Sequence, residues 1–324
     1  MKRVICDTNI WYYFADGTFK IEDFKDVKLV ATPLNVIELG FAHPENKKGF
    51  DFKLIQKAAK AILDYSFEII EEELFEFLSK VITPLNLHEY LKYPYRQFLI
   101  KDVLKNMVDE TAPISKSDYE NKYQSYFVEF FKYKEGFKNI LEKFISQKRQ
   151  EHKSFNKETQ KKFAKGKGQH HEWINHQIVT MYIGHLLETD NRGIINKFLF
   201  GEQHNDLTIT ISHLIEDGYQ QKKIDFIIGL VIDLILFGKS NLDVINEKFK
   251  LYLNALKFYV IELTKQGTEK TVKKEDTTKK VQENDCFDLL NLIYVLKDDI
   301  YCTREKQWKR YLKEAGLENQ LYKI

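Results

Sequence analysis

The chain has 324 residues, 43% of them hydrophobic, which is ample for a packed core and sets a prior of about two domains. Fifty Lys and Arg against 48 Asp and Glu leave a formal net charge of +2, so any nucleic-acid partner must be held by a local basic patch and not by the overall field. Three scattered cysteines, Cys6, Cys286 and Cys302, exclude a disulfide framework and fit a reducing, cytoplasmic setting.

In chain order, MKRVICDTNI reaches Asp7 after three apolar residues, too few for a signal-peptide core. RVIC reads as a short strand ending at Asp7, and IWYYF as a short helix. KLVA is a second strand, after which Thr32 and Pro33 supply an N-cap and a first-turn proline for a helix through NVIELGF. FKLIQKAAKAILDYS has apolar residues at three- and four-residue spacing, the mark of an amphipathic helix. Strand, helix, strand, helix predicts a parallel sheet with right-handed crossovers.

From residue 67 to residue 264 helical periodicity takes over, in EELFEFLSKVI, YRQFLIKDVLKNMVDE, KNILEKFISQK, EWINHQIVTMYIGHLLE and NEKFKLYLNALKFYVIELT. The apolar stretch 224–237 has about 14 residues and carries Asp225 and Asp233, short of the roughly 20 that span a bilayer, so a buried helix and no membrane contact are expected. A charged stretch, 265–280, reads as a solvated linker. Then CFDLLNLIYVL predicts a helix, DIYCT a strand, EKQWKRYLKEAG a helix ending at Gly316, and LYKI an edge strand. The 44 residues from 281 to 324 are too few for a core of their own and are expected to return to the N-terminal strands. The predicted organisation is therefore an α/β domain with a parallel sheet, made from residues 1–65 and 281–324. A helical insertion, 66–264, and the linker, 265–280, interrupt it.

That assembly brings acids together. Asp7 ends the first strand, where open parallel sheets bind ligands. Glu38 lies on the helix after the second strand, Asp285 and Asp288 stand at i and i+3 on one helix face, and Glu305 follows the last strand two residues after Thr303. Two carboxylates about 5 Å apart repel by roughly 3 kcal/mol at an effective dielectric of 20, and Mg²⁺ or Mn²⁺ relieves such repulsion. Each residue also has a plainer reading: Asp7 as a helix cap, Glu38 as a solvated helix residue, Asp285 and Asp288 as an N-cap and first-turn acid, Thr303 and Glu305 likewise. Their order along the chain favours the joint reading.

RVICDTNIWYYF resembles the opening strand and helix of the PIN-domain nuclease superfamily, with its strand-Asp-Thr-Asn signature. TPLNVIELG is similar to the family's second element, and NDCFDLLNLIYV followed by DIYCTREKQW to its closing helix, strand and Thr-x-Asp segment. The resemblance covers roughly 110 residues at the two ends. It implies a PIN-like fold in which Asp7, Glu38 and one or both of Asp285 and Asp288 hold Mg²⁺ or Mn²⁺, with Asn9 and Thr303 as supporting polar residues. Glu305 stands where many members have Asp, and the long insertion is foreign to the small toxin-type members.

Nine Lys or Arg occupy residues 143–168 against Glu151 and Glu158, with Phe144, Phe155 and Phe163 between them. The segment predicts phosphate contacts, from Lys161, Lys162, Lys165 and Lys167 above all, with rings that stack on unpaired bases; a solvated helix face is the alternative. His171 and His176 are five residues apart, which puts them on different helix faces and fails the zinc-protease spacing. The expected activity is a metal-dependent endonuclease acting on RNA. The alternatives are a structure-specific DNA nuclease and a non-catalytic PIN-like scaffold whose insertion binds protein or RNA. A toxin or defence role, with an inhibitor protein or a homo-oligomer as partner, rests on family analogy alone.

Overall fold

The structure is a computed structural model that describes residues 1–41, 51–82, 98–110, 115–165, 246–269 and 280–324. Lys167, the histidines from 170 to 213, the apolar stretch 224–237 and most of the charged segment lie outside the described residues.

Four strands, β1 (Lys2–Cys6), β2 (Val27–Ala31), β3 (Glu68–Ile69) and β4 (Ile300–Cys302), form one all-parallel sheet in the order β3-β2-β1-β4. β1 is central, pairing Val4 with Leu29 on one side and with Ile300 on the other. Val4, Ile5, Cys6, Leu29, Val30 and Ala31 are all buried, as parallel strands covered on both faces require. Cys6 pairs with Cys302 across the sheet, and both are buried free thiols. β3 was not expected: its two residues are too few to show a strand period, and they lie where helical periodicity was predicted to begin.

The first crossover is α1 (Thr8–Ala15). α2 (Pro33–Gly40) starts as the sequence indicates, with Thr32 Oγ1 accepting from Asn35 N at 3.4 Å and Pro33 in the first turn. α3 (Phe52–Tyr65) packs against α1 and buries Ile55, Ala58, Ala59 and Ile62. Between β3 and β4 the described chain is helical: α4 (Leu74–Ile82), α5 (Ile100–Asp109), α6 (Lys116–Gln124), α7 (Val128–Ser154), α8 (Lys157–Ala164) and α9 (Lys250–Glu269). α9 runs through Lys265 to Glu269, so the linker expected from residue 265 begins in helix. α10 (Glu283–Asn291) and α11 (Lys306–Glu314) flank β4. α11 ends at a left-handed Gly316 (φ 71°), with Leu317 N–H bonding to Leu312 O at 2.8 Å. The expected final edge strand is reduced to one bridge, Tyr301 to Leu321.

The chain ends are tied by more than the ladder. Arg3 donates to Glu68 at 3.1 Å and to Asp299 at 3.2 Å, joining residues 65 and 296 positions apart. Among the described residues no helix is long and apolar enough to cross a membrane.

Candidate metal and catalytic site

From β1 the chain runs to β2 and β3 on one side and, much later, to β4 on the other. The carboxyl ends of β1 and β4 therefore border a topological switch point, the position where open α/β sheets bind ligands. Asp7 follows β1 there and Thr303 follows β4.

Asp7 is 1% exposed and occupies the N-cap position of α1, yet its side chain makes no capping bond. Its Oδ2 instead accepts from Thr303 Oγ1 at 2.8 Å, and its N–H donates to Cys302 O at 2.9 Å. The N–H groups of Asn9 and Thr8 still act on the carboxylate, pulling its pKa down, but less than the Thr303 hydroxyl does. Thr8 Oγ1 donates to Glu38 Oε2, which draws the second acid toward β1. Asn9 Nδ2 donates to Glu305 Oε1 at 3.2 Å, and Glu305 N–H returns to Thr303 Oγ1 at 3.0 Å. Glu305 is the N-cap residue of α11, also without a side-chain cap bond. On α10, Asp288 is buried and accepts from Trp308 Nε1 at 2.9 Å, while Asp285 accepts from Tyr259 OH at 2.8 Å. The N-cap of that helix is Gln282, so Asp285 is not the cap.

The electrostatics separate an inner set from an outer one. Burial, then the charge of Glu305, push the Asp7 carboxyl up to about 6 against the pull of the Thr303 hydroxyl. Burial and the Asp7 charge push Glu38 up to about 8, with Thr8 and Lys134 opposing. Asp288 is driven well up by burial, then by Asp7, Glu38 and Glu305. Glu305 is raised by burial and by Asp285. Asp7, Glu38, Asp288 and Glu305 therefore share one electrostatic neighbourhood, with Asp285 at its border beside Glu305.

Sequence reasoning missed the polar frame beneath these acids. Asn35 Nδ2 donates to Cys6 O and to Thr8 Oγ1, both at 3.1 Å, and its Oδ1 accepts from Trp11 Nε1 and Thr32 N. Asn291 donates to the same Cys6 carbonyl at 3.3 Å and takes the Thr32 hydroxyl at 2.6 Å. Two helices are thereby pinned to the peptide that carries Asp7. A signal existed in each case: Asn35 stands at the third position of a Thr-Pro helix start, and Asn291 is one turn from Asp288. Lys134 of α7 is buried, pairs with Glu283 at 3.3 Å, and lies 4.6 Å from the Phe287 ring centre, bringing a positive charge from the helical region close to Glu38.

Among the described residues, no three His, Cys, Asp or Glu are grouped tightly enough to hold a metal ion as they stand. The donor chemistry nevertheless suits a hard cation, being all carboxylate oxygen and held together against mutual repulsion. The Tyr301 hydroxyl is fully buried, and burial and the charges of Asp7, Asp288 and Glu38 push its pKa well up against the pull of the Asn291 side chain. Buried carboxylates whose pKa values are raised by one another's charge are a feature that a hydrated cation would answer.

The basic segment differs from its expected form. Phe144 and Phe163 are buried and Phe155 packs against the core, because α7 and α8 turn these positions inward; none of the three is free to stack on a base. Lys148 is buried and paired with Glu151 at 2.8 Å, and Arg149 donates to Leu263 O at 3.0 Å. Lys161, Lys162 and Lys165 are exposed, Lys162 being paired with Glu158. Comparisons with protein-family models, curated proteins and solved structures gave no match, so the functional reading rests on this geometry and on the resemblance in the sequence.

Proposed function

We propose that the chain is a metal-dependent endonuclease of PIN-like architecture, its catalytic domain made from the two chain ends and interrupted by the helical region. The observation that carries this reading is the set of acids Asp7, Glu38, Asp288 and Glu305 at the switch point, with carboxyl pKa values raised by burial and by neighbouring carboxylates. Buried like charges are costly to maintain, and a divalent cation turns that cost into affinity. Asp7, Glu38 and Asp288, with Asp285 at the border, would hold Mg²⁺ or Mn²⁺. When bound, the ion supplies Lewis acidity that lowers the pKa of an attacking water and offsets charge on the phosphate.

The chain's own residues do the remaining work. Thr303 fixes the Asp7 carboxylate, Thr8 fixes Glu38, Trp308 fixes Asp288, and Asn9 steers Glu305. Attack of water on phosphorus breaks one P–O ester bond, and the departing oxygen takes up a proton. Glu305, partly exposed and with a raised pKa, is suited to carry that proton. RNA is the substrate class the resemblance favours, and the exposed Lys161, Lys162 and Lys165 would add phosphate contacts.

The test is incubation of purified protein with total RNA, and separately with duplex and flap DNA, in Mn²⁺ or in EDTA. The expected result is RNA cleavage in Mn²⁺ only, lost in Asp7→Asn. RNA left intact by the parent protein, or cut equally well by Asp7→Asn, contradicts the reading. Preferential cleavage of flap DNA would move the substrate to DNA.

A further inference from the structure

We infer that Arg304 is a phosphate-binding residue at the rim of the acidic site, gripping the backbone of a nucleic-acid strand beside the bond to be cut. The inference rests on the nuclease reading and adds a substrate contact to it.

Arg304 is exposed in the turn between β4 and α11. Its neighbours in sequence are both site residues: Thr303 bonds to Asp7, and Glu305 accepts from Asn9. Its guanidinium lies 4.9 Å from the Tyr13 ring centre and 5.7 Å from that of Phe19. These two rings meet edge to face at 5.3 Å, which makes a rigid platform. Asn9 and Tyr13 are four residues apart on α1, so one helix face reaches Glu305 through Asn9 and Arg304 through Tyr13. The guanidinium is therefore held about one helical turn along α1 from the contact between Asn9 and Glu305.

Its charge is also uncommitted. Arg3 is engaged by Glu68 and Asp299, and Arg310 by Glu262, whereas among the described residues Arg304 has no carboxylate at ion-pair distance. Stacking restricts the side chain but leaves the edge donors of its planar fork free, and that fork matches phosphate oxygens bidentately. A surface arginine lying on an aromatic ring for packing alone is common. Its position between two site residues sets Arg304 apart: a polyanion approaching a cluster of acids needs a cation at the rim.

The experiment measures binding without cleavage. A fluorescein-labelled single-stranded RNA is titrated with the full chain carrying Asp7→Asn, in EDTA, at several salt concentrations. Adding Arg304→Ala should weaken binding by about tenfold, the usual loss for a charged hydrogen-bonded contact. It should also reduce the slope of log affinity against log salt by about 0.7. Arg304→Lys keeps the point charge and should restore most of the slope with only part of the affinity. A structural role would lower the melting temperature and leave the salt slope alone. Affinity and slope unchanged in Arg304→Ala, while the parent still cleaves RNA in Mn²⁺, overturn the assignment of Arg304 alone. A parent that neither binds nor cleaves RNA overturns the nuclease reading with it.

Discussion

At the scale of single residues, the site is defined by side chains that decline their ordinary local jobs. Asp7 and Glu305 both stand where a helix cap belongs, and each has its main side-chain hydrogen bond elsewhere. Asp7 instead takes a hydroxyl from Thr303, 296 residues away, and remains buried with its pKa raised. A consequence follows for stability against pH. An acid whose folded pKa lies above its unfolded value takes up protons on folding. Its stabilising contribution is complete below the unfolded pKa, near 4, and is lost as pH rises through the folded pKa. For Asp7 and Glu38 that window runs from near 4 up to about 6 and about 8. The metal-free protein should thus become less stable from pH 5 to pH 8, by up to about 1.4 kcal/mol per pH unit for each group within its window. Urea denaturation in EDTA across this range checks the sign. Asp7→Asn should flatten the fall, since it removes one titrating acid and the charge that raises Glu38.

At the scale of elements, legibility in the sequence followed length and period. α1, α2, α3, α10 and α11 and the strands β1, β2 and β4 were readable because an apolar run, a Thr-Pro start or a terminal Gly marks each. β3 was not, with two residues and no period of its own. The rings of the basic segment were expected to be free to stack, and are not, for a related reason. Composition reports which residues are present, whereas the helix phase that turns Phe144 and Phe163 inward depends on what α7 and α8 pack against. The acids were singled out from the sequence, whereas the asparagines that brace them were passed over: each stands beside a marked position, but the role of a buried amide shows only in its partners. One contact between elements makes a sharp prediction. A Cβ built on Gly40, at the end of α2, would lie 2.8 Å from Tyr123 Cβ on α6. The obstacle is the root of a buried side chain and cannot swing away. Gly40→Ala should lower stability by about 1–3 kcal/mol despite its better helix propensity, read as a shift in urea midpoint. A neutral or stabilising effect would mean that α2 and α6 do not approach this closely.

At the scale of the whole molecule, the central strand β1 is paired on one side with a strand 25 residues onward and on the other with one nearly 300 residues onward. Residues 281–324 contribute a single three-residue strand whose ladder partner lies at the opposite end of the chain. Expressed alone they should be unfolded by circular dichroism, and a cooperatively melting fragment would contradict the shared sheet. The same closure gathers the acids: Asp7 and Glu38 come from one chain end, Asp288 and Glu305 from the other, and the two pairs meet only when both ends are in place. The measurement that tests this account most directly is calorimetric titration of Mn²⁺ into the metal-free parent protein and into Asp7→Asn. The account predicts a saturable heat in the parent, growing from pH 6 to pH 8 as protons leave the acids, and its loss in Asp7→Asn, a variant at least as stable as the parent without metal. A parent that gives no heat beyond dilution, or an Asp7→Asn protein that binds Mn²⁺ as the parent does, would contradict it.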